Sequence, residues 1–429
     1  MPGLRTGIRT VDRTEGFGYY SISLASYHFT ALNYPKCGPE FFMNQKILHT
    51  PEGVRDIYGD ECERKQIIEQ KLHAVLTSYG YRDIETPTFE FFDVFGSDVG
   101  TIPSRDLYKF FDREGNTLVL RPDFTPSIAR AAGRYFAESD RPVRLCYLGK
   151  TFVNHQEHRG RLKENTEIGA ELIGEGSADA DAEIIAMATD MLLASGLSDF
   201  QISIGHAAFF ESLVREAGID DETVEHLRIL IHNHNTFGVE KLLSDKNIDE
   251  RIARILISLP VMNGTVQMLE KAYDMTQGLK AQRAVLRLKE VLRLLEISGL
   301  DSHVSFDFGM LSTYMYYTGI IFRGYTYGTG DAVVKGGRYD NLLGHFGRET
   351  PSAGFVVVLG NLMNALQRQK ISVPMETDRV LILYTSKSRD EAHRLAAGMR
   401  KEGRCAELIL KDGKSLPEEM TGYSRILDL

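Results

Sequence analysis

The sequence predicts an α+β fold: a largely antiparallel β-sheet flanked by helices, with a helical insert and a short α/β fragment at the C-terminus. Three observations lead there. Strand-like runs lie on both sides of a stretch at about 208–299 whose apolar residues recur with helical spacing. After a polar break at Pro374–Asp378, a strand-helix-strand pattern begins. A chain of 429 residues, 43% hydrophobic and 25% charged, is long enough for one large domain and one small one, each with its own core.

Residues 1–42 are rich in Gly, Tyr and Ser and show no sustained period, so they are expected to be an unstructured N-terminal extension, with Met43 as the expected true start. A core is expected over 43–373 and a truncated α/β domain over 378–429. From Asp60 a helix is predicted with a capping box, Asp60 to Glu63, an apolar face of Ile68, Leu72, Val75, Leu76 and Tyr79, and a stop at Gly80. Ile84, Pro87 and the aromatics Phe89, Phe91, Phe92 and Phe95 predict a strand and an apolar interface segment. Asp181–Ala194 reads as helix. The last helix of the insert carries a seam of Ala281, Val285, Leu288, Leu292 and Leu295, a spacing that mostly packs inside its own domain. Val304, Phe306 and Phe308 alternate with Ser305 and Asp307, and further strands are predicted at Tyr316–Tyr325, Asp331–Val334 and Gly354–Leu359. Val380–Tyr384, a helix capped by Ser388 with Glu391 and closed at Gly403, and Cys405–Leu410 complete the chain.

The four cysteines, Cys37, Cys62, Cys146 and Cys405, form no Cys-x-x-Cys pair, so neither a zinc site nor a disulfide framework is expected. His155 and His158, with Glu157 between them, and the pair His232 and His234 are expected to be solvated side chains. No metal and no cofactor is called for. The net charge of −9 disfavours a general polyanion binder, because phosphate backbones are held by clustered Lys and Arg. No run approaches the ~18–20 apolar residues that cross a bilayer, and no leader pattern is seen, so a cytoplasmic protein without membrane contact is expected.

Four segments carry the functional signal: Pro51-Glu52-Gly53-Val54-Arg55-Asp56, Leu120-Arg121-Pro122-Asp123-Phe124-Thr125, Tyr316-Tyr317-Thr318-Gly319 and Gly336-Gly337-Arg338-Tyr339-Asp340. In this order the chain resembles the core of class II histidyl-tRNA synthetases and their paralogues over roughly Ile47–Gln369. Each segment alone is weak. The resemblance implies a class II aminoacyl-tRNA synthetase-like core that dimerises through Thr86–Phe95.

Amino-acid activation builds negative charge on the α-phosphate of ATP, which fixed guanidinium forks meet in that family. Here the three matching positions read Val153, Ser312 and Asn361. Losing one such donor costs ~10²–10³ in rate, so losing all three predicts no useful adenylation. Lys150, Arg159 and Arg323 are the cations that could stand in if the alignment shifts. The anticodon-binding domain of a synthetase would also have to fit into 378–429, which makes tRNA an unlikely partner.

The amino-acid pocket is retained by the same resemblance, in Asp123, Thr125, Glu167, Glu171, Tyr316 and Tyr317. Carboxylates and phenols suit a ligand carrying an α-ammonium and an imidazole. Glu167 stands where the family has Gln and adds negative charge. Glu167 and Glu171, four apart, share a face either way, as a solvated pair if the segment is helix or on the pocket face if it is the strand that Ile168–Ile173 suggests, whereas Tyr316 and Tyr317, adjacent on a strand, should face opposite ways. Alone, the Gly336–Asp340 segment would read as a tight turn with a surface ion pair; after the tyrosine pair it is expected to border the pocket. A kept pocket with discarded chemistry resembles the regulatory subunits of short-form ATP phosphoribosyltransferase, which act in the first step of histidine biosynthesis. That resemblance implies a non-catalytic protein, a short-form catalytic subunit as partner, a homodimer within a hetero-oligomer, and histidine as allosteric effector. A divergent histidyl-tRNA synthetase and a synthetase-like histidine-sensing module are the competing readings.

Overall fold

The computed structural model describes residues 48–96, 102–155, 162–244, 246, 248–311, 316–375, 378–412 and 422–429. Pro51–Leu429 forms one unit. The expected extension at 1–42 lies outside the described residues, as does Ser312.

Helix α1 (Gly59–Ser78) buries Ile68, Leu72 and Leu76 on one face, as their spacing requires. The capping box does not form. Tyr58 is the N-cap and makes no side-chain cap bond, so Asp60 and Glu61 fall in the first turn, where carboxylates favour the helix dipole. Gly80, with φ of +83°, turns the chain out of the helix. Strand β1 (Arg82–Asp83) follows, then β2 (Phe89–Phe91), β3 (Lys109–Phe111) and β4 (Thr117–Leu120). The last three make a small antiparallel sheet in the order β2-β4-β3.

Next come α2 (Thr125–Tyr135), β5 (Val143–Phe152), β6 (Glu164–Ile173), α3 (Ala178–Ala194) and β7 (Phe200–His206). Helix α3 starts three residues earlier than predicted, because Ser177 caps it by accepting from the Ala180 amide. The insert contains α4 (Ala207–Glu216), α5 (Asp221–His232), α6 (Thr236–Ser244), α7 (Glu250–Ser258), the short β8 (Asn263–Gly264), α8 (Val266–Thr276) and α9 (Gln282–Ile297). The α9 seam of Val285, Leu288, Leu292 and Leu295 packs into the main core. Strands β9 (Val304–Asp307), β10 (Ile320–Thr326), β11 (Val334–Arg338) and β12 (Ser352–Val358) lead to α10 (Leu359–Arg368). The C-terminal part is β13 (Arg379–Tyr384), α11 (Arg389–Lys401), β14 (Cys405–Leu410) and β15 (Arg425–Asp428), with all pairing in its sheet parallel. Ser388 occupies the N-cap of α11, but its hydroxyl accepts from the Thr385 amide instead of capping.

Two predicted strands move. The strand expected from Tyr316 begins at Ile320, and the one expected at Asp331–Val334 runs Val334–Arg338. Gly336, Gly337 and Arg338 are therefore sheet residues, not the tight turn that the segment alone would suggest.

The main sheet runs β1-β5-β6-β12-β11-β10-β7-β9-β8, antiparallel from β5 through β7. Its two faces differ sharply. One presents Ile168, Ala170, Leu172, Ile202, Ile204, Phe322, Phe355 and Val357 to a core shared with α1, α3, α9 and α10. The other presents Glu167, Gly169 and Glu171, with Gly354 and Gly337 on the neighbouring strands. Glycines on that second face are covered by the side chains of Glu171, Tyr147 and Tyr317, and a smaller cluster of Phe124, Ile128, Leu145, Tyr147, Tyr316 and Tyr339 closes one side.

Candidate functional site

Strand β6 places Glu167 and Glu171 on the open face, four residues apart, as the period of two requires. Glu171 lies opposite Leu145 of β5 and Gly354 of β12. Only glycine fits there. A Cβ at position 354 would sit 1.6 Å from Glu171 Oε2. Gly169 makes room in the same way for Tyr147, whose hydroxyl would lie 2.5 Å from an added Cβ, and Gly337 makes room for Tyr317 at 2.6 Å.

Glu171 is fully buried, and both its oxygens are satisfied: the Thr125 hydroxyl donates to Oε1 at 2.9 Å and the Tyr339 hydroxyl donates to Oε2. Thr125, at the start of α2, also donates its amide to Asp123 Oδ1 at 3.0 Å, while the Tyr316 hydroxyl donates to Oδ2 at 3.2 Å. Thr125 thus ties two carboxyl groups together. Asp123 and Glu167 are only half-buried, whereas Glu171 is fully buried.

Burial raises the proton affinity of all three acids. It pushes Glu171 up to about 8, against the hydrogen bonds from Tyr339 and Thr125 and with help from the Asp123 charge. Burial and then the Asp123 charge push Glu167 up to about 8, opposed by Thr151, Lys335 and Arg121. Asp123 is raised as well, chiefly by burial. The three acids therefore resist ionisation together.

Arg121 tempers Glu167 through its charge but bonds elsewhere. Its guanidinium donates to the carbonyls of Thr86 and Lys150, each at 2.8 Å, and lies 4.0 Å from the centre of the Phe124 ring, which fixes it as a strut under the pocket.

The structure brings Asp123, Thr125, Glu171 and Tyr316 into one hydrogen-bonded group, with Glu167 next to them. It corrects the tyrosine pair. Tyr316 and Tyr317 precede β10 rather than lying in it, so strand alternation does not apply and their rings pack side by side, with centroids 4.8 Å apart. Tyr339 belongs to the Gly336–Asp340 segment expected to border the pocket, but its bond to Glu171 and the nearby Lys335 were not singled out; Lys335, Gly337 and Tyr339 alternate along β11 and just past it.

At the positions where the synthetase resemblance leads one to look for arginine, Val153 is half-buried, and Asn361 donates to the Ala332 carbonyl at 2.9 Å. Among the stand-in cations, Lys150 is ion-paired with Glu164, Arg323 is half-buried on β10, and Arg159 lies outside the described residues. His158 and Glu157 also lie outside them. His232 and His234 are both exposed, as expected, and His234 Nδ1 also lies 2.6 Å from the Pro260 carbonyl oxygen.

The antiparallel sheet, flanking helices and acid-lined open face define the class, a class II synthetase-like α+β fold; the histidyl-tRNA synthetase family profile matches residues 53–362. A solved structure titled as an ATP phosphoribosyltransferase regulatory subunit/histidyl-tRNA synthetase from Bacillus halodurans C superposes with a TM-score of 0.80 at 30% identity, covering 89% of this chain and 98% of that one. An ATP phosphoribosyltransferase regulatory subunit of Acetivibrio thermocellus is 36% identical over 366 residues, 85% of this chain and 88% of the relative. One of Caldanaerobacter subterraneus subsp. tengcongensis is 38% identical over 368 residues, 84% of this chain and 94% of the relative. The chain belongs to the family of ATP phosphoribosyltransferase regulatory subunits, built on the histidyl-tRNA synthetase scaffold. Among the described residues no helix is long and apolar enough to cross a membrane.

Proposed function

We propose that this chain is the non-catalytic regulatory subunit of a short-form ATP phosphoribosyltransferase. It acts in the cytoplasm as a homodimer within a hetero-oligomer and carries the histidine feedback on the first step of histidine biosynthesis. Its parts are a core over 43–373 and a truncated α/β domain over 378–429. The observation that carries the reading is the pairing of an intact acid cluster with missing cations: Asp123, Thr125 and Glu171 are bonded together beside Glu167, while Val153 and Asn361 offer nothing to a phosphate.

Histidine fits that cluster by charge. Its α-ammonium meets Asp123 and Glu167, its imidazole reaches the Tyr316 and Tyr317 side of the pocket, and Glu171 with Tyr339 holds the floor in place. Feedback requires that histidine bind one arrangement of the complex better than another, since equal affinity shifts nothing. The exposed rings of Phe89 and Phe91 on β2, which are 50% and 57% exposed, support a dimer face on the small sheet.

The test mixes this chain with a short-form catalytic subunit and follows phosphoribosyl transfer from phosphoribosyl pyrophosphate to ATP, with and without histidine, beside a histidine-dependent pyrophosphate-exchange control. Transfer that needs both chains, inhibition by histidine that is lost in Asp123→Asn, and no exchange are expected. Exchange by this chain alone would make it a synthetase. Absence of both activities would favour a sensing module.

A further inference from the structure

Helix α1, strand β1 and strand β5 bring together three side chains that the acid pocket does not use. We propose that His73, Asp83 and Cys146 form a zinc(II) site that clamps α1 to the edge of the main sheet.

Their ligand atoms all lie within 4.8 Å of one another. His73 Nε2 is 2.8 Å from Asp83 Oδ1, and Cys146 Sγ is 3.5 Å from the same oxygen. Asp83 and Cys146 are register partners in the parallel β1–β5 pair, so the sheet itself sets their spacing. His73 is carried on α1 next to Leu72 and Leu76, which anchor that helix in the core.

The donor set is a sulfur, an imidazole nitrogen and a carboxylate oxygen, a mixture that suits zinc better than magnesium or calcium. With bonds of about 2.0–2.3 Å and a tetrahedral angle, two zinc ligands stand roughly 3.3–3.8 Å apart. The sulfur–oxygen separation already matches. The nitrogen–oxygen pair has only to open by roughly half an ångström, exchanging a hydrogen bond for two metal bonds.

Access and protection are divided between the residues. Cys146 is fully buried, while Asp83 is exposed and His73 half-exposed, so an ion approaches from solvent and meets the thiol last. Water completes the coordination. Without an ion, burial and the neighbouring Asp83 charge push the thiol up to about 12, so it stays protonated and inert. Binding releases that proton to solvent as the Zn–S bond forms, and the dication then offsets the repulsion between thiolate and carboxylate. A His73–Asp83 ion pair alone on this surface would contribute little. The buried sulfur behind it gives the cluster its third donor. Sequence spacing could not reveal this group, because 63 residues separate Asp83 from Cys146 and only strand pairing joins them.

The experiment uses the full chain, stripped with a chelator and titrated with zinc against a chromogenic chelator, then with cobalt(II) as a spectroscopic probe. One zinc per chain and a thiolate-to-cobalt charge-transfer band are expected. Cys146→Ser should abolish the band, and His73→Asn should weaken zinc binding roughly 100-fold or more, the upper end of what loss of a mere supporting partner costs. Triple replacement of Cys37, Cys62 and Cys405 by Ser should leave both readouts unchanged. If Cys146→Ser fails to fold by circular dichroism, His73→Asn, on the half-exposed side, still decides. Zinc affinity unchanged in His73→Asn, a cobalt spectrum without a thiolate band, or loss of binding in the triple variant would overturn the proposal.

Discussion

Replacing Gly354 by alanine tests whether the glycine-lined face exists to seat Glu171. The new Cβ would lie 1.6 Å from Glu171 Oε2, 2.5 Å from its Cδ and 2.7 Å from the Ala170 carbonyl oxygen. The first two contacts force the carboxyl group away, and the third strains the backbone, which cannot rotate aside. Moving the carboxyl breaks the bonds from Thr125 and Tyr339, leaving two buried hydroxyls unsatisfied. Each costs ~1–3 kcal/mol, and the overpacking adds ~1–3 kcal/mol, so a total of about 3–9 kcal/mol is expected. Against a typical stability of ~5–15 kcal/mol this is a large loss. Urea denaturation at a constant m-value measures it. The double variant Gly354→Ala with Glu171→Ala removes both contacts with the carboxyl group, leaving only the one with the Ala170 carbonyl, so it should be more stable than additivity allows by ~1–3 kcal/mol. Additive effects, or Gly354→Ala within ~1 kcal/mol of the parent protein, would refute the steric argument.

Three further outcomes are expected. Folding raises the proton affinity of Glu167 and Glu171 above that of the unfolded chain, so the native state holds more protons between about pH 4.5 and about pH 8; stability should fall as pH rises through that window, and Glu167→Gln should flatten the slope in denaturation series. Asp181 is fully buried and accepts from Arg338 Nε and from Arg287 Nε, each at 2.7 Å, so Asp181→Ala leaves buried Arg338 with Asp340 as its remaining carboxylate and should cost ~3–5 kcal/mol, seen as a lowered unfolding midpoint. Phe91→Asp on the exposed small sheet should yield a folded monomer in sedimentation analysis; an unchanged dimer would remove that face as the interface.

Local patterning determined much of this protein. Periods of two and 3.6 were enough for β6, α9 and β14, because one-sided burial writes itself into consecutive residues. Asp123 and Thr125 came only from the family resemblance; their local bond, a carboxylate accepting from an amide two residues on, is a finding of the structure. What short spacing could not convey was decided by pairing across the sheet. Gly354 faces Glu171 only through the β6–β12 register, Tyr339 reaches the same carboxyl from 168 residues away, and Tyr316 and Tyr317 lie side by side because β10 starts later than their aromatic character suggests. The absent cations at Val153 and Asn361 are sequence facts. That the neighbouring acids are desolvated together, and so resist ionisation, is a property of burial, which depends on every element around the pocket at once.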